Sequence, residues 1–392
     1  MGSSFDQGRR QLLGVAAIAA GWLPAAAAQG AEAGRPMAVA AAWRCALKLS
    51  PQGEVLGPGP ERDHVGILLP DWDDGRLLIR AAVPVPDRVH GLLADGSGGF
   101  FAVAYRPGPW LLHVGAQGQV LARHALADEG NRRTFNGHVT WTPDRRHLVT
   151  SETDADDSAG WVSLRDPQTL RRVDEWPSGG VEPHDIRFDP AGRLWIANGG
   201  ILRAAMDRKR DLDRMQPTLV ALDVASGRPL GRWELDDPRL SLRHLAVGLG
   251  SEPLIGVALQ AEHDDPGRRA EAPLLAVCDG QRFVIPSRQA IGKGYSSDIA
   301  PGPLGGFFLA SERSHHVLRW DPRRPETLQT VGELERAGAL APWRTEDDGR
   351  TSPDGVYIAA ARGLARWHPS QPAKMLRWPI PMAIDNHLVP LG

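Results

Sequence analysis

Ile186-Arg187-Phe188-Asp189-Pro190-Ala191-Gly192-Arg193-Leu194-Trp195-Ile196 is two short apolar runs around an Asp-Pro-Ala-Gly turn. Runs of this length suit strands and are too short for helices, and Pro and Gly in the middle favour a tight reversal. The same unit recurs at His138-Val139-Thr140-Trp141-Thr142-Pro143-Asp144, followed by His147-Leu148-Val149-Thr150. Further strands follow each unit, at Trp161-Val162-Ser163-Leu164-Arg165-Asp166 and Leu219-Val220-Ala221-Leu222-Asp223. Each of these ends in a turn, Pro167-Gln168 or Ala225-Ser226-Gly227. No long helical periodicity interrupts them, apart from a short turn expected near Arg208–Met215.

Aligned on their first strands, the units start near residues 43, 90, 138, 184, 244, 297 and 338. The spacings run from roughly 42 to 60 residues, near the ~40–50 of a four-stranded propeller blade. Seven starts predict an all-β, seven-bladed β-propeller, a single domain over residues 29–392 closed by N- and C-terminal strands. The tail around Leu376–Ile380 is expected to return to the first blade, because closing the ring removes exposed sheet edges. A pair of β-sandwiches is the alternative, but it would not generate one recurring period. Tryptophan dominates the aromatics, with 13 Trp against 8 Phe and 3 Tyr, which suits wide flat contacts between packed sheets.

The first 28 residues read differently. Gly8-Arg9-Arg10 precedes an alanine-rich apolar stretch that ends in Ala26-Ala27-Ala28, the pattern of a cleaved export signal. The paired arginines point to the twin-arginine route and hence to the periplasm. No later stretch is long and apolar enough to span a membrane, so no stable span is expected after signal removal. The formal net charge of −2 gives no basic field for nucleic acid. Cys45 and Cys278 lie far apart in the repeat pattern and are expected to be two buried thiols.

Four repeat starts carry histidine: His90, His138, His184 and His244. First strands of propeller blades line the central channel, so equivalent positions form one ring around the axis. Four imidazoles at one level could hold an organic or anionic ligand or a metal, with one iron or copper ion preferred, since neutral imidazole suits such ions. The alternative is a structural histidine that closes a blade-edge hydrogen-bond network, a role for which Gly137-His138 has the right form. Arg133, Glu152, Asp185, Asn198, Arg243 and Gln260 are further polar groups placed near this face. Of these, Arg133, Glu152, Asn198 and Arg243 are the candidate ligand-binding residues, and Glu152 or Asp185 would be the general base if a channel metal activated water. No Gly-x-Ser-x-Gly elbow and no His-Glu-x-x-His motif is present.

Arg133-Thr134-Phe135-Asn136-Gly137-His138, Gly180-Val181-Glu182-Pro183-His184, Ala197-Asn198-Gly199-Gly200-Ile201, Met215-Gln216-Pro217-Thr218-Leu219 and Ser241-Leu242-Arg243-His244-Leu245-Ala246 occur in that order. Together they resemble the bacterial family called domain of unknown function 1513. The resemblance implies an exported propeller, encoded near imelysin-like iron-regulated lipoproteins and a di-haem cytochrome-like oxidase. It therefore implies a periplasmic role in iron acquisition, with an iron-uptake lipoprotein or cytochrome-like partner. It marks His138, His184, Asn198, Arg243 and His244 as motif positions. The chain departs from the family where Leu202-Arg203-Ala204-Ala205 replaces a Thr-His-Pro-like stretch.

Overall fold

The inner strands of seven antiparallel sheets touch one another in a closed circle, which makes the chain a seven-bladed β-propeller. The computed structural model describes residues 37–391 except 131, 205, 206, 251, 290, 291 and 345–351. The export signal read at residues 1–28 lies outside them. In chain order the inner strands of blades 2 to 7 are Val89–Ala94, Arg133–Trp141, Pro183–Phe188, Leu240–Val247, Asp298–Pro301 and Ala339–Trp343. Blade 6 gains a fifth strand, Arg288–Gln289, parallel to its outer edge at Thr327–Glu333. Among the described residues no helix is long and apolar enough to cross a membrane.

Blade 1 is assembled from both ends of the chain. Its inner strand is Ala383–Leu391, and Ala38–Leu49, Val55–Asp71 and Arg76–Val85 follow outward. The register runs from Ala38 opposite Leu391 to Arg44 opposite Ala383. This corrects two details of the sequence reading. Residue 43 lies on a second strand, not a first one, and the closing strand is not Leu376–Ile380. Leu376 belongs to Lys374–Arg377, the outer strand of blade 7. The physical reason is local: Pro379 and Pro381 remove two ladder donors, so the chain cannot continue as a strand until it has passed them.

The core lies between blades. Trp43, Trp343, Tyr357, Leu364 and Leu388 fill the seam between blades 1 and 7, and Trp195 and Trp320 are fully buried elsewhere. Cys45 and Cys278 are buried free thiols, as expected. Leu388 and Leu391 are buried on the closing strand, and each such side chain contributes about 1.5–3 kcal/mol. Removing residues 383–391 would lose these contacts and expose the Ala38–Leu49 edge. The truncated chain is expected to lose its cooperative thermal transition by circular dichroism. A transition kept within a few degrees of the full chain would show that closure is dispensable.

Candidate metal centre

Histidine sits wherever an inner strand slips register. Pairing jumps from Val89 to Leu92 around His90, from Phe135 to Val139 around His138, from Pro183 to Asp185 around His184, and from Leu242 to Leu245 around His244. In the closing strand it jumps from Leu388 to Ile384 around His387. A bulge frees the residue from the ladder and re-aims its side chain, here toward the axis. Blades 6 and 7 run without a slip, and Ser297 and Ala339 stand where the others carry histidine.

Close approach of blades 2 and 3 explains the Gly-His pair. Gly137 has φ +100°, and a Cβ there would lie 2.7 Å from the His90 ring. A Cβ on Gly91 would lie 2.1 Å from the Gly137 carbonyl oxygen. Two glycines thus let His90 and His138 meet with ring centroids 4.8 Å apart. His387 joins them, 4.7 Å from His90 and 4.7 Å from His244. One nitrogen from each of His90, His138, His244 and His387 lies within 4.8 Å of the others, and all four residues are buried.

Hydrogen bonding sets the tautomers. His138 Nδ1 donates to Asp185 Oδ1 at 3.1 Å, so its Nε2 carries a free lone pair. His387 Nδ1 faces Asp298 Oδ1 at 3.5 Å, and its Nε2 has no partner. Both carboxylates are fixed from behind: Asp185 Oδ2 accepts from the Leu245 amide and Asp298 Oδ2 from the Leu340 amide, each at 2.8 Å. His90 has no partner on either nitrogen, and His244 has none on Nδ1. His184 differs. An arginine can only donate, so the 3.1 Å contact from Arg106 Nη1 makes His184 Nδ1 an acceptor and leaves the proton on Nε2. That proton points to His244 Nε2 at 3.0 Å. His184 is therefore a donor that orients His244, not a free ligand in this arrangement. His244 in turn carries its proton on Nδ1 and opens its Nε2 lone pair to a metal only when the bond from His184 is given up.

Burial holds His90, His138, His184 and His244 neutral. Desolvation, with the neighbouring histidines and arginines adding to it, pushes His90, His184 and His244 well below the ordinary range. Burial takes His138 down to about 4 although Asp185 opposes it. Neutral imidazoles with lone pairs facing one another are what a transition metal requires and what a self-contained core avoids. The unfolded chain takes up protons below pH 6.5 that His90, His184 and His244 refuse in the folded protein and that His138 refuses until about pH 4. Stability of the metal-free protein is therefore full above pH 6.5 and falls as pH drops toward 4. His138 alone accounts for on the order of 3 kcal/mol across that window. Asp185 and Glu182, both held low, contribute losses only at more acid pH. Metal-free protein is expected to melt at a clearly lower temperature at pH 5 than at pH 7, with His138→Gln showing a shallower slope. Equal slopes would contradict the buried-neutral assignment.

A family model described as "Protein of unknown function (DUF1513)" matches residues 83–391. The chain belongs to this family. No curated protein sequence matches it. Among solved structures, the DUF1513 chain is similar to virginiamycin B lyase from Staphylococcus aureus, at 10% identity and TM-score 0.53, over 75% of this chain and 85% of that one. It is also similar to Kuenenia stuttgartiensis hydrazine synthase, at 12% identity and TM-score 0.56, over 91% and 99%. At these identities the likeness is one of fold.

The candidate site residues of this DUF1513 chain separate into two groups. His138, His184, His244 and Arg243 reach the axis, and Arg243, His90 and Gln260 line a cavity above the cluster. Arg133, Glu152 and Asn198 do not line it. Arg133 lies over the Trp161 ring at 4.0 Å and pairs with Glu175. Glu152 is wholly buried and accepts from Arg165 Nη2 at 2.7 Å and from Thr150 at 2.8 Å. Asn198 is saturated at the seam of blades 3 and 4: its Nδ2 donates to Thr218 of its own blade and to the Ser178 carbonyl on the outer strand of blade 3, and its Oδ1 accepts from the Ser178 hydroxyl. These three are structural, because each is committed to partners within blades 3 and 4 and away from the axis. Sequence reasoning missed His387, although it follows the repeat start near residue 338 by about one blade period and Asn386-His387-Leu388 resembles Arg243-His244-Leu245. It also missed Arg106, in the loop Tyr105-Arg106-Pro107-Gly108, which no repeat marks.

Proposed function

We propose that this DUF1513 member is an exported, periplasmic metal-binding propeller that serves the acquisition of iron or another transition metal. The reading is carried by the mutual approach of His90, His138, His244 and His387 with buried nitrogens that lack partners. These four would hold one divalent iron or copper ion, the all-imidazole set suiting either. Asp185 and Asp298, one behind each of two histidines, would balance its charge and raise the basicity of His138 and His387. The twin-arginine pattern at residues 1–28 supports export, since that route carries folded proteins. What the sequence resemblance implies, an iron-uptake lipoprotein or cytochrome-like protein nearby, is the reason for naming such a protein as partner.

The hydrolase alternative loses its base: Glu152 is ion-paired away from the cavity, and Asp185 already serves His138 and two amides. Purely structural histidines would be expected to have partners on their nitrogens, which His90 lacks. Elemental analysis of protein purified without chelator tests the proposal. About one equivalent of iron or copper supports it, and protein that stays metal-free on titration with both ions refutes it.

A further inference from the structure

A cavity of about 360 Å³ opens directly over the histidines, with His90, His184 and His244 in its floor. Its walls are cationic. Arg106, Arg203 and Arg243 converge on a single carboxylate oxygen, Glu182 Oε1: Arg203 Nε at 3.0 Å, Arg243 Nη1 at 3.1 Å and Arg106 Nε at 3.5 Å. Among the described residues, Asp207 is the other carboxylate paired with these arginines, 3.1 Å from Arg203 Nη1 and 3.5 Å from Arg106 Nε. Three guanidiniums therefore face two carboxylates. Arg106 is 8% exposed and Arg243 4% exposed, so this charge is not dispersed by water. Arg106 Nε is buried with no hydrogen-bond partner at all. Burial and the charge of Arg243 take Arg106 down to about 10, so it stays charged at neutral pH.

Arg313 adds a second unmatched charge. It lies over the Tyr295 ring at 4.5 Å and has no carboxylate partner among the described residues. The other wall cations are matched, Arg88 by Asp385 at 2.6 Å and Lys209 by Glu262. Glu312 is taken by Arg336. The cavity wall thus has two positive charges in excess, and its volume lies within the ~300–1,000 Å³ of small-molecule sites. It has far more room than a lone chloride or phosphate would fill.

We infer that this cavity is a binding site for a small organic dianion, a dicarboxylate. One carboxylate meets the inward-facing edges of the Arg106 and Arg243 guanidiniums, whose planar forks match it in geometry. The other meets Arg313, with the Tyr105 and Tyr295 rings beside the carbon chain. The site does not require a metal, so its test is independent of the metal proposal.

The experiment is isothermal titration of the metal-free full chain with malonate, succinate and adipate, against acetate and inorganic phosphate. One dicarboxylate is expected to bind saturably at one per chain, at least about tenfold tighter than acetate or phosphate. Arg313→Gln, a substitution at an exposed position, is expected to weaken it by about tenfold at low salt, and Arg106→Gln by more. Absence of saturable binding at millimolar concentration, phosphate binding as tightly as every dicarboxylate, or an unchanged dissociation constant in Arg313→Gln each overturns the inference.

Discussion

The His138→Ala/His387→Ala double variant is expected to lose metal binding by at least about four orders of magnitude. These two histidines are the ones whose Nδ1 faces a carboxylate and whose Nε2 is left without a partner. Loss of an orienting second-shell group alone typically costs about 10–100-fold in affinity, and loss of the ligand costs more. Asp185→Asn and Asp298→Asn are accordingly expected to weaken binding by about 10–100-fold each. Competition against a chromophoric chelator measures both. A companion variant separates the metal reading from a structural one. His90→Leu removes two buried nitrogens that have no partner, so the metal-free protein should become no less stable, and by the usual penalty for such groups about 1–3 kcal/mol more so. The same variant should bind metal poorly. If His90→Leu instead lowers the melting temperature of metal-free protein, the histidines are part of the core's own bonding and the metal proposal weakens.

Arg165→Met is expected to destabilise the protein by about 3–5 kcal/mol. Arg165 is fully buried between Glu129 and Glu152, donating to each at 2.7 Å and also to Thr150 and the Leu170 carbonyl. Removing it leaves Glu152, itself wholly buried, without its main counter-charge. At the usual unfolding entropy per residue, a chain of this size should drop by about 4–7 °C in Tm. The pair Glu152→Leu/Arg165→Met removes both charges and should recover much of the loss, because a buried ion pair replaced by apolar groups is often close to neutral. Glu129 keeps His124 at 2.7 Å in either case. A pair as unstable as the single variant would mean that shape, not charge, dominates here. Calorimetry on the three proteins decides it, and metal content should be unchanged throughout.

The ring was legible because its signal is repeated. Each blade restates an apolar run, a Pro or Gly turn and a second run, so seven copies outweigh the ambiguity of any one. The closing strand was misread because Leu376 looks like a strand residue and is one, but in the outer strand of blade 7. That single slip hid His387, since the first blade seemed to begin at residue 43. Four axial histidines were legible from their place at the start of each repeat. Their division of labour was not: whether His184 donates or ligates depends on Arg106, which reaches it from a loop 78 residues away. Glu152 and Asn198 sit at strand ends in the sequence, where a site residue would also sit. Only partners distant in sequence, such as Arg165 and Ser178, show that both are committed to the core. Arg203 falls in the stretch where the chain departs from its family, and it is the residue that brings Glu182 a third guanidinium.

The closing strand has a consequence for assembly. His387 lies on a strand that follows all the other blade strands in chain order, and it reaches its three counterparts His90, His138 and His244 only when Ala383–Leu391 has zipped onto Ala38–Leu49. The histidine cluster is thus completed last, after every blade has been synthesised and the circle sealed. A nascent, truncated or sprung-open chain lacks one corner of the cluster, so loading with metal would follow folding and would act as a lock on the finished ring.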